Sequence, residues 1–236
     1  SKNDQISILN FMYTSIILCG GKNSRLKNLK KKIVKPLIVY KKKTLLEHHL
    51  KTLNKIKIRD IFINTYKNKN SFILIKKKKK LDFKIIDENN LKGTAGVIFS
   101  NYNKFSENII VLYGDNYLDL NIEKFHSYFN KNNLDFLMGV YKKKDLSKSG
   151  FVKFDRYNNI VKFIEKNPSF KNKTAYSNAG IYLFKKTFFK NIKKNKFIDF
   201  ANDIFSKNIF NHKCKVYKLK SCISFDTLEL MKKNLK

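Results

Sequence analysis

The chain has 236 residues, of which 42% are hydrophobic, and it carries a formal net charge of +33 at pH 7. A chain of this length buries roughly 70% of its unfolded surface and needs no disulfide scaffold, and its three cysteines show no metal-ligand spacing. Only three basic residues are arginines, Arg25, Arg59 and Arg156, and the lysines are spread along the whole chain. Specific nucleic-acid binding favours arginine forks and interleaved aromatic residues, so we interpret the lysines as a solvated surface and expect no specific nucleic-acid partner.

The N-terminal segment is not expected to be a membrane or leader element. Residues 6–19 are apolar but are interrupted by polar residues, and they are fewer than the ~20 that a spanning helix needs. No charged region with an alanine-type cleavage site accompanies them, and the cysteine usage is typical of reduced thiols. We therefore expect a cytoplasmic protein with no membrane partner. Residues 1–11 are expected to be an N-terminal extension or the end of an upstream domain, and residues 12–236 a single domain.

In the first part of the chain, short apolar strands alternate with amphipathic helices. Strands are predicted at 14–19, 60–65, 83–87, 108–114 and 134–140. Helices are predicted at 43–57, 67–80, 94–103 and 121–132. This alternation is typical of βαβ units and predicts an α/β fold, with a Rossmann-like, mostly parallel sheet flanked by helices. In such sheets the ligand lies beyond the carboxyl ends of the strands.

The pattern changes after residue 150. Strands are predicted at 151–154, 160–164, 180–184, 214–219 and 222–225. Helices are predicted at 186–194, at 199–208 and from Thr227 onward. These shorter connections predict a smaller antiparallel patch in the C-terminal half.

The first strand leads into a glycine turn with basic residues after it. Gly20-Gly21 ends the strand, and Ser24, Arg25 and Lys35 follow. A glycine turn at a strand end exposes backbone N–H groups that an anion can approach closely, and the two cations add full positive charge. The segment lacks the spacing of a dinucleotide fingerprint and of a Walker A loop. It predicts a cradle for a polyphosphate.

Two aspartates follow predicted strands and are candidate metal ligands. Asp115 comes directly after the most apolar strand, and Asp226 ends the strand before the last helix. Mg²⁺ prefers one or two carboxylates together with phosphate oxygens. Each aspartate has a structural alternative: Asp115 as a turn or helix N-cap residue, and Asp226 as an N-cap completed by Glu229.

Three other polar groups suit a sugar-phosphate pocket. Glu165-Lys166 follows a strand and Asn178 begins another, so they offer a carboxylate, an ammonium and an amide to hydroxyls and phosphate. A surface ion pair and a turn are the alternatives. The glycine-containing segment 92–96 either caps the helix after it or presents backbone groups to a base edge.

Together these motifs resemble the sugar-1-phosphate nucleotidyltransferases, also called NDP-sugar pyrophosphorylases. The matching pieces occur in the family's order: Leu18-Cys19-Gly20-Gly21, Ser24-Arg25-Leu26, Lys35-Pro36-Leu37, Gly93-Thr94-Ala95-Gly96, Tyr113-Gly114-Asp115-Asn116, Gly150, Glu165-Lys166, Asn178-Ala179-Gly180 and Asp226-Thr227. The resemblance implies the nucleotide-diphospho-sugar transferase fold. It also implies a nucleotide-binding half at about 12–140 and a sugar-phosphate-binding half at about 141–236.

The resemblance implies a role for each matching position. Nucleotide binding is implied for Cys19, Gly20, Gly21, Ser24, Gly93 and Thr94. Catalytic roles are implied for Arg25, which holds the leaving pyrophosphate, for Lys35, which steadies the α-phosphate, and for Asp115. Binding of the Mg²⁺ cofactor is implied for Asp115 and Asp226. Sugar-phosphate binding is implied for Gly150, Glu165, Lys166 and Asn178.

The implied reaction joins a nucleoside triphosphate and a sugar 1-phosphate, its two small-molecule partners, and releases pyrophosphate. The glycine motifs look most like short bacterial guanylyltransferases that act on mannose- or heptose-1-phosphate. Cytidylyl-, uridylyl- and thymidylyltransferases share nearly all these residues, and a non-catalytic sugar-nucleotide-binding regulator is a further alternative. The sequence leaves open a homo-oligomer and an upstream fused domain.

Overall fold

The structure is a computed structural model that describes residues 12–21, 33–146, 149–164, 168–171, 173–190, 196–207, 213–226, 229 and 231. Four predicted site residues lie outside the described residues: Ser24, Arg25, Glu165 and Lys166. The predicted extension 1–11 and the start of the last helix at Thr227 also lie outside them.

Thirteen strands, four α-helices and several short helical turns make up the described part of the chain. The strands are β1 Tyr13–Leu18, β2 Val39–Tyr40, β3 Lys43–Thr44, β4 Ile61–Thr65, β5 Lys84–Asp87, β6 Asn108–Tyr113, β7 Asn116–Asp119, β8 Phe136–Lys144, β9 Phe151–Phe154, β10 Ile160–Ile164, β11 Thr174–Lys185, β12 Cys214–Lys218 and β13 Ser221–Ser224. The α-helices are α1 Leu45–Lys55, α2 Lys69–Lys79, α3 Gly96–Ser100 and α4 Ile122–Lys131. Short 3₁₀ turns occur at Lys35–Leu37, Tyr102–Lys104, Pro168–Phe170 and Lys186–Phe189, and a π-helix occurs at Phe200–Phe205.

Nine of these strands form one mixed sheet. Strands β5, β4, β1 and β6 lie side by side and run parallel. The long strand β11 continues the sheet antiparallel to β6 and to β8, and β12 adds a parallel edge beside β8. The β9–β10 hairpin joins β11 at Ser177. The predicted α/β class, with a mostly parallel sheet and antiparallel strands in the C-terminal half, is confirmed.

Strands β1, β4 and β6 are buried along nearly their whole length, which explains their mainly apolar sequences, whereas the edge strand β5 exposes Lys84 and Asp87. Adjacent residues of β1 belong to different core clusters, Ile16 to one and Ile17 to the other, because successive strand residues point to opposite faces. Both side chains are fully buried. The core therefore fills both faces of the sheet and fixes the carboxyl ends of β1, β4, β5 and β6 at one edge.

Several element boundaries differ from the prediction. Helix α1 begins at Leu45, two residues late, because Lys43–Thr44 pairs with β2 and Thr44 then forms a capping box with Glu47. Strand β11 begins at Thr174 instead of residue 180 because its polar N-terminal part pairs with β8. The helix predicted at 199–208 is a six-residue π-helix.

No helix within the described ranges combines the length and the apolar character that a membrane crossing requires. All three cysteines are free. Burial raises the pKa of each thiol, to about 12 for Cys214 and Cys222, so the thiols stay protonated.

Candidate active site

The turn after β1 is fixed by an asparagine from the neighbouring strand. Asn64, on β4, accepts hydrogen bonds from the backbone N–H groups of Cys19 at 2.8 Å and Gly20 at 3.3 Å. A Cβ atom on Gly20 would lie 2.5 Å from the Asn64 amide nitrogen, closer than real contacts allow. The glycine is therefore required for this close approach between the two strand ends.

A buried carboxylate lies behind this turn. Glu88 follows β5, and its Oε2 atom accepts a 2.6 Å hydrogen bond from the Asn64 side chain. Its Oε1 atom accepts from the Lys92 backbone N–H at 3.3 Å. Burial raises the pKa of Glu88. The same Oε2 atom would lie 2.9 Å from a Cβ on Gly20, so the carboxylate lies directly against the glycine turn.

The glycine-containing segment 92–96 forms a loop that is hydrogen-bonded to a segment far along the chain. The Ile198 carbonyl accepts hydrogen bonds from Ala95 and Gly96, both at 3.0 Å, and the Ile198 N–H donates to Lys92. Gly93 has φ +85°, and a Cβ there would lie 2.3 Å from the Ile198 carbonyl oxygen. The loop thus needs glycine both for its backbone conformation and for the close packing of the segment around Ile198.

The hydroxyl of Thr94 makes a second connection to that segment. It donates to the Asp199 Oδ2 atom at 2.8 Å and accepts from the Phe200 N–H at 2.9 Å. Asp199 also accepts from the Ala201 N–H at 3.0 Å, as a helix N-cap residue does. Asp199 therefore lies in the site, although the sequence analysis did not select it.

Lys35 lies between the two predicted metal aspartates. Its Nζ atom is 2.6 Å from Asp226 Oδ1 and 3.3 Å from Asp115 Oδ2. Lys35 is 8% exposed, whereas both aspartate side chains keep more than a quarter of their surface exposed. Pro36 helps to position the lysine, because the 3₁₀ turn Lys35–Leu37 carries proline at its start. The three charges thus meet at one point.

This point fits a magnesium ion by the chemistry of its donors. Two carboxylates converge there, and Mg²⁺ is held by one or two carboxylates plus phosphate oxygens and water. The described residues contain no cluster of three or more potential metal ligands from protein side chains. Asp115 and Asp226 would therefore hold the ion together with oxygens from the substrate.

A cavity of about 360 Å³ extends from this charged point to the glycine turn. It is lined by Leu18, Cys19, Gly20, Gly21, Lys35, Pro36, Asn64, Leu91, Gly93, Thr94, Tyr113, Asp115, Phe197, Asp199 and Asp226. Among these described lining residues, the charges are three carboxylates and one ammonium. We call it the first cavity.

A second cavity of about 330 Å³ adjoins the first. It contains Gly150 and Asn178, which the resemblance assigned to sugar-phosphate binding, and also Lys143 and Ser149. Lys143 donates a hydrogen bond to the Ser149 hydroxyl. Burial lowers the pKa of this ammonium. The two cavities share the five residues Thr94, Tyr113, Asp115, Asp199 and Asp226, which form a common wall.

Behind the common wall, buried hydroxyls connect the two cavities. The Tyr113 hydroxyl hydrogen-bonds both Thr94 and Tyr182. The Asn178 side-chain amide donates to the Tyr182 hydroxyl at 2.6 Å. Burial raises the pKa of both tyrosines, so these hydroxyls remain protonated hydrogen-bonding groups. This chain of contacts fixes Asn178 relative to Thr94.

A buried histidine supports the turn that carries Asp115. His49, on α1, lies against the backbone of Tyr113 and Asn116, on either side of Asp115. Its Nε2 atom has no hydrogen-bond partner among the described residues. Burial lowers the pKa of His49 from 6.5 to about 4, so it is neutral near pH 7.

The family of the chain follows from a match over most of its length. The sequence profile of the nucleotidyl transferase family matches residues 14–223. This chain belongs to the nucleotidyl transferase family. The predicted resemblance to sugar-1-phosphate nucleotidyltransferases is confirmed by this match and by the similar proteins described next.

Two relatives of this nucleotidyl transferase are 29% identical to it. One is named D-glycero-alpha-D-manno-heptose 1-phosphate guanylyltransferase, from Campylobacter jejuni; the match covers 82% of this chain and 86% of the relative. The other is named bifunctional protein GlmU, from Methanocaldococcus jannaschii, and the match covers 77% of this chain. The chain spans only 42% of that relative's length.

The fold also matches a solved structure. The crystal structure of HddC from Yersinia pseudotuberculosis complexed with GMP-PN has a TM-score of 0.78 to this nucleotidyl transferase. The match covers 94% of this chain and 98% of that one, at 23% identity. At this identity the likeness supports the fold, and it agrees with the sheet described above.

All ten candidate residues within the described ranges line one of the two cavities. Cys19, Gly20, Gly21, Lys35, Gly93, Thr94, Asp115 and Asp226 line the first cavity. Asp115, Gly150, Asn178 and Asp226 line the second. The sequence analysis missed Asn64, Glu88, Lys143 and Asp199. Asn64 and Glu88 follow apolar strand residues at carboxyl ends, a position that could have marked them.

Proposed function

We propose that this nucleotidyl transferase moves a nucleotidyl group from a nucleoside triphosphate to a sugar 1-phosphate and releases pyrophosphate. The observation that carries the proposal is the common wall. Two cavities of similar size meet at Asp115, Asp226 and Thr94. A nucleotide in the first cavity and a sugar phosphate in the second would bring the α-phosphorus and the attacking oxygen to that wall.

The charges at the wall support a requirement for magnesium. Asp115 and Asp226 both line the first cavity, where a triphosphate would bring further negative charge. Carboxylates beside a phosphate are favourable when a divalent cation lies between them. When bound, Mg²⁺ supplies positive charge to the phosphoryl oxygens and offsets the carboxylates. We propose Asp115 and Asp226 as its protein ligands.

Apart from holding the metal ion, the protein would position the two substrates and stabilise the charge that develops during transfer. A sugar 1-phosphate oxygen is already anionic, so the attack needs no general base. Backbone groups at Gly20 and Gly21 would contact the nucleotide, and the Lys35 ammonium would offset charge that develops on the α-phosphoryl oxygens. Lys143 and Asn178 would hold the sugar phosphate through a charge and an amide. Arg25 retains the pyrophosphate role that the resemblance implies.

We propose GTP as the preferred nucleotide and mannose- or heptose-1-phosphate as the sugar substrate. The names of the Campylobacter relative and of the HddC complex support this choice.

A substrate matrix tests the proposal. Purified protein is incubated with each of GTP, ATP, CTP, UTP and dTTP against several sugar 1-phosphates, and pyrophosphate release is measured with Mg²⁺ and with a chelator. We expect release only when both substrates and Mg²⁺ are present, with GTP preferred. Binding of a nucleotide sugar without pyrophosphate release in any combination would replace the enzyme with a regulatory binding protein.

A further inference from the structure

A phenylalanine at the mouth of the first cavity has an exposed ring. Phe197 is 56% exposed and lines that cavity beside Leu91 and Gly93. Five other large apolar side chains within the described ranges are comparably exposed: Met12, Val39, Leu74, Tyr157 and Val161. None of those five lines either site cavity. Phe197 thus combines exposure with a place in the site.

The position of Phe197 is fixed by its neighbours. The next residue, Ile198, exchanges backbone hydrogen bonds with the 92–96 loop at 2.8 to 3.0 Å. The residue after it, Asp199, accepts the Thr94 hydroxyl at 2.8 Å. Because both following residues are hydrogen-bonded to the loop, the backbone of Phe197 is held beside that loop, and its exposed side chain lines the cavity.

The surroundings of the ring suit a flat, apolar ligand. Lys35, Asp115 and Asp226 form the ion-pair cluster of the first cavity, whereas Phe197 directly precedes Ile198, whose backbone bonds to the 92–96 segment. A triphosphate would bind at the Lys35 cluster, which leaves the nucleobase to the side of the cavity with Gly93 and Phe197. An aromatic ring that stacks on a base gains affinity without choosing among bases, since every base has a π-face.

We propose that Phe197 forms a stacking wall for the nucleobase of the bound nucleoside triphosphate. This inference rests on the proposed function, because it needs a nucleotide in the first cavity. It adds a residue that none of the sequence motifs contains. The ring would contribute affinity for any nucleobase and no selectivity among bases.

The absence of tryptophan from the chain allows a direct test. Phe197→Trp places a single indole at the proposed wall, and stacking on a nucleobase changes indole fluorescence. Tyr157→Trp is the matched control, because Tyr157 is 58% exposed and lines neither cavity. GTP and inorganic tripolyphosphate are titrated into both variants, and GTP binding to wild type is measured by calorimetry.

We expect GTP to quench the indole of Phe197→Trp saturably, tripolyphosphate to leave it unchanged, and the Tyr157→Trp control to respond to neither. We also expect Phe197→Ala to raise the KM for GTP roughly tenfold with little change in kcat, and Phe197→Tyr to restore it. If GTP binds the wild type and leaves the indole of Phe197→Trp unchanged, the stacking wall is wrong and the proposed function stands. If no nucleoside triphosphate binds the wild type, both are overturned.

Discussion

The Lys35 ammonium lies 2.6 Å from the Asp226 carboxylate, although the two residues are 191 positions apart in the chain. The lysine begins the 3₁₀ turn Lys35–Leu37, and the aspartate follows β13. Their contact joins the two ends of the described fold at the proposed reaction centre.

Removing either carboxylate charge should impair turnover without unfolding the protein. We expect Asp115→Asn and Asp226→Asn each to lower kcat by a factor on the order of 10²–10³, as loss of one stabilising contact in the transition state commonly does. Pyrophosphate release at saturating substrates measures the effect. Asp119→Asn is the control, since Asp119 is exposed at the end of β7. Normal turnover by Asp226→Asn would remove that residue from the proposed metal site.

Replacing Lys35 should make the protein depend more on magnesium for its stability. In Lys35→Gln the carboxylates of Asp115 and Asp226 lose the cation between them, so a bound divalent ion relieves more repulsion than in wild type. We expect MgCl₂ to raise the Tm of the variant more than that of the wild type. Thermal melts with and without the salt measure this. Equal shifts in both proteins would contradict a shared cation position.

Glu88→Gln should weaken nucleotide binding through the glycine turn. The Glu88 carboxylate accepts a hydrogen bond from Asn64, and Asn64 in turn accepts from the backbone of Cys19 and Gly20. The variant replaces one acceptor oxygen with a donor, so we expect the KM for the nucleoside triphosphate to rise about tenfold, as loss of a buried hydrogen bond commonly costs. The neighbouring substitution Asp87→Asn makes the same chemical change on an exposed residue and should leave the KM unaltered. An unchanged KM in Glu88→Gln would contradict a role of Glu88 in holding the turn.

His49 should make the fold sensitive to acid. Burial lowers its native pKa from 6.5 to about 4, so between these pH values the unfolded state binds more protons than the native state. The free energy of unfolding therefore falls as pH falls through this window, by up to about 3 kcal/mol. We expect His49→Gln to lose this part of the pH dependence in urea titrations. Parallel curves for wild type and His49→Gln would contradict the assignment.

The sequence predicted the parallel strands well because their burial on both faces imposes a continuous apolar pattern. The predicted strand 60–65 is Ile61–Thr65, and 108–114 is Asn108–Tyr113. Strand β7 was missed, because its residues Asn116–Asp119 are stabilised by pairing with distant β13 instead of by an apolar pattern. A local sequence pattern carries no information about a partner strand that is about a hundred residues away.

The site residues also fall into two groups: those that the sequence indicates and those that only the tertiary structure indicates. Glycine turns and strand-end aspartates are visible in sequence, since scarce residues occur where backbone geometry or charge requires them. Asp199 was not visible, because nothing near it in the chain indicates that Thr94 will donate to it. Lys143 was not visible either, since it is one lysine in a run of three and only its burial beside Ser149 distinguishes it. Only their tertiary contacts identify such residues as part of the site.

The wall common to the two cavities has a kinetic consequence. Because Asp115, Asp226 and Thr94 border both cavities, the donor and the acceptor would have to be present simultaneously, and no side chain needs to carry the nucleotidyl group between them. Double-reciprocal plots should then intersect instead of running parallel. Labelled pyrophosphate should not exchange into the triphosphate unless the sugar nucleotide is also present. Nucleotidyl transfer would therefore begin only after the nucleotide and the sugar phosphate have both bound to the enzyme.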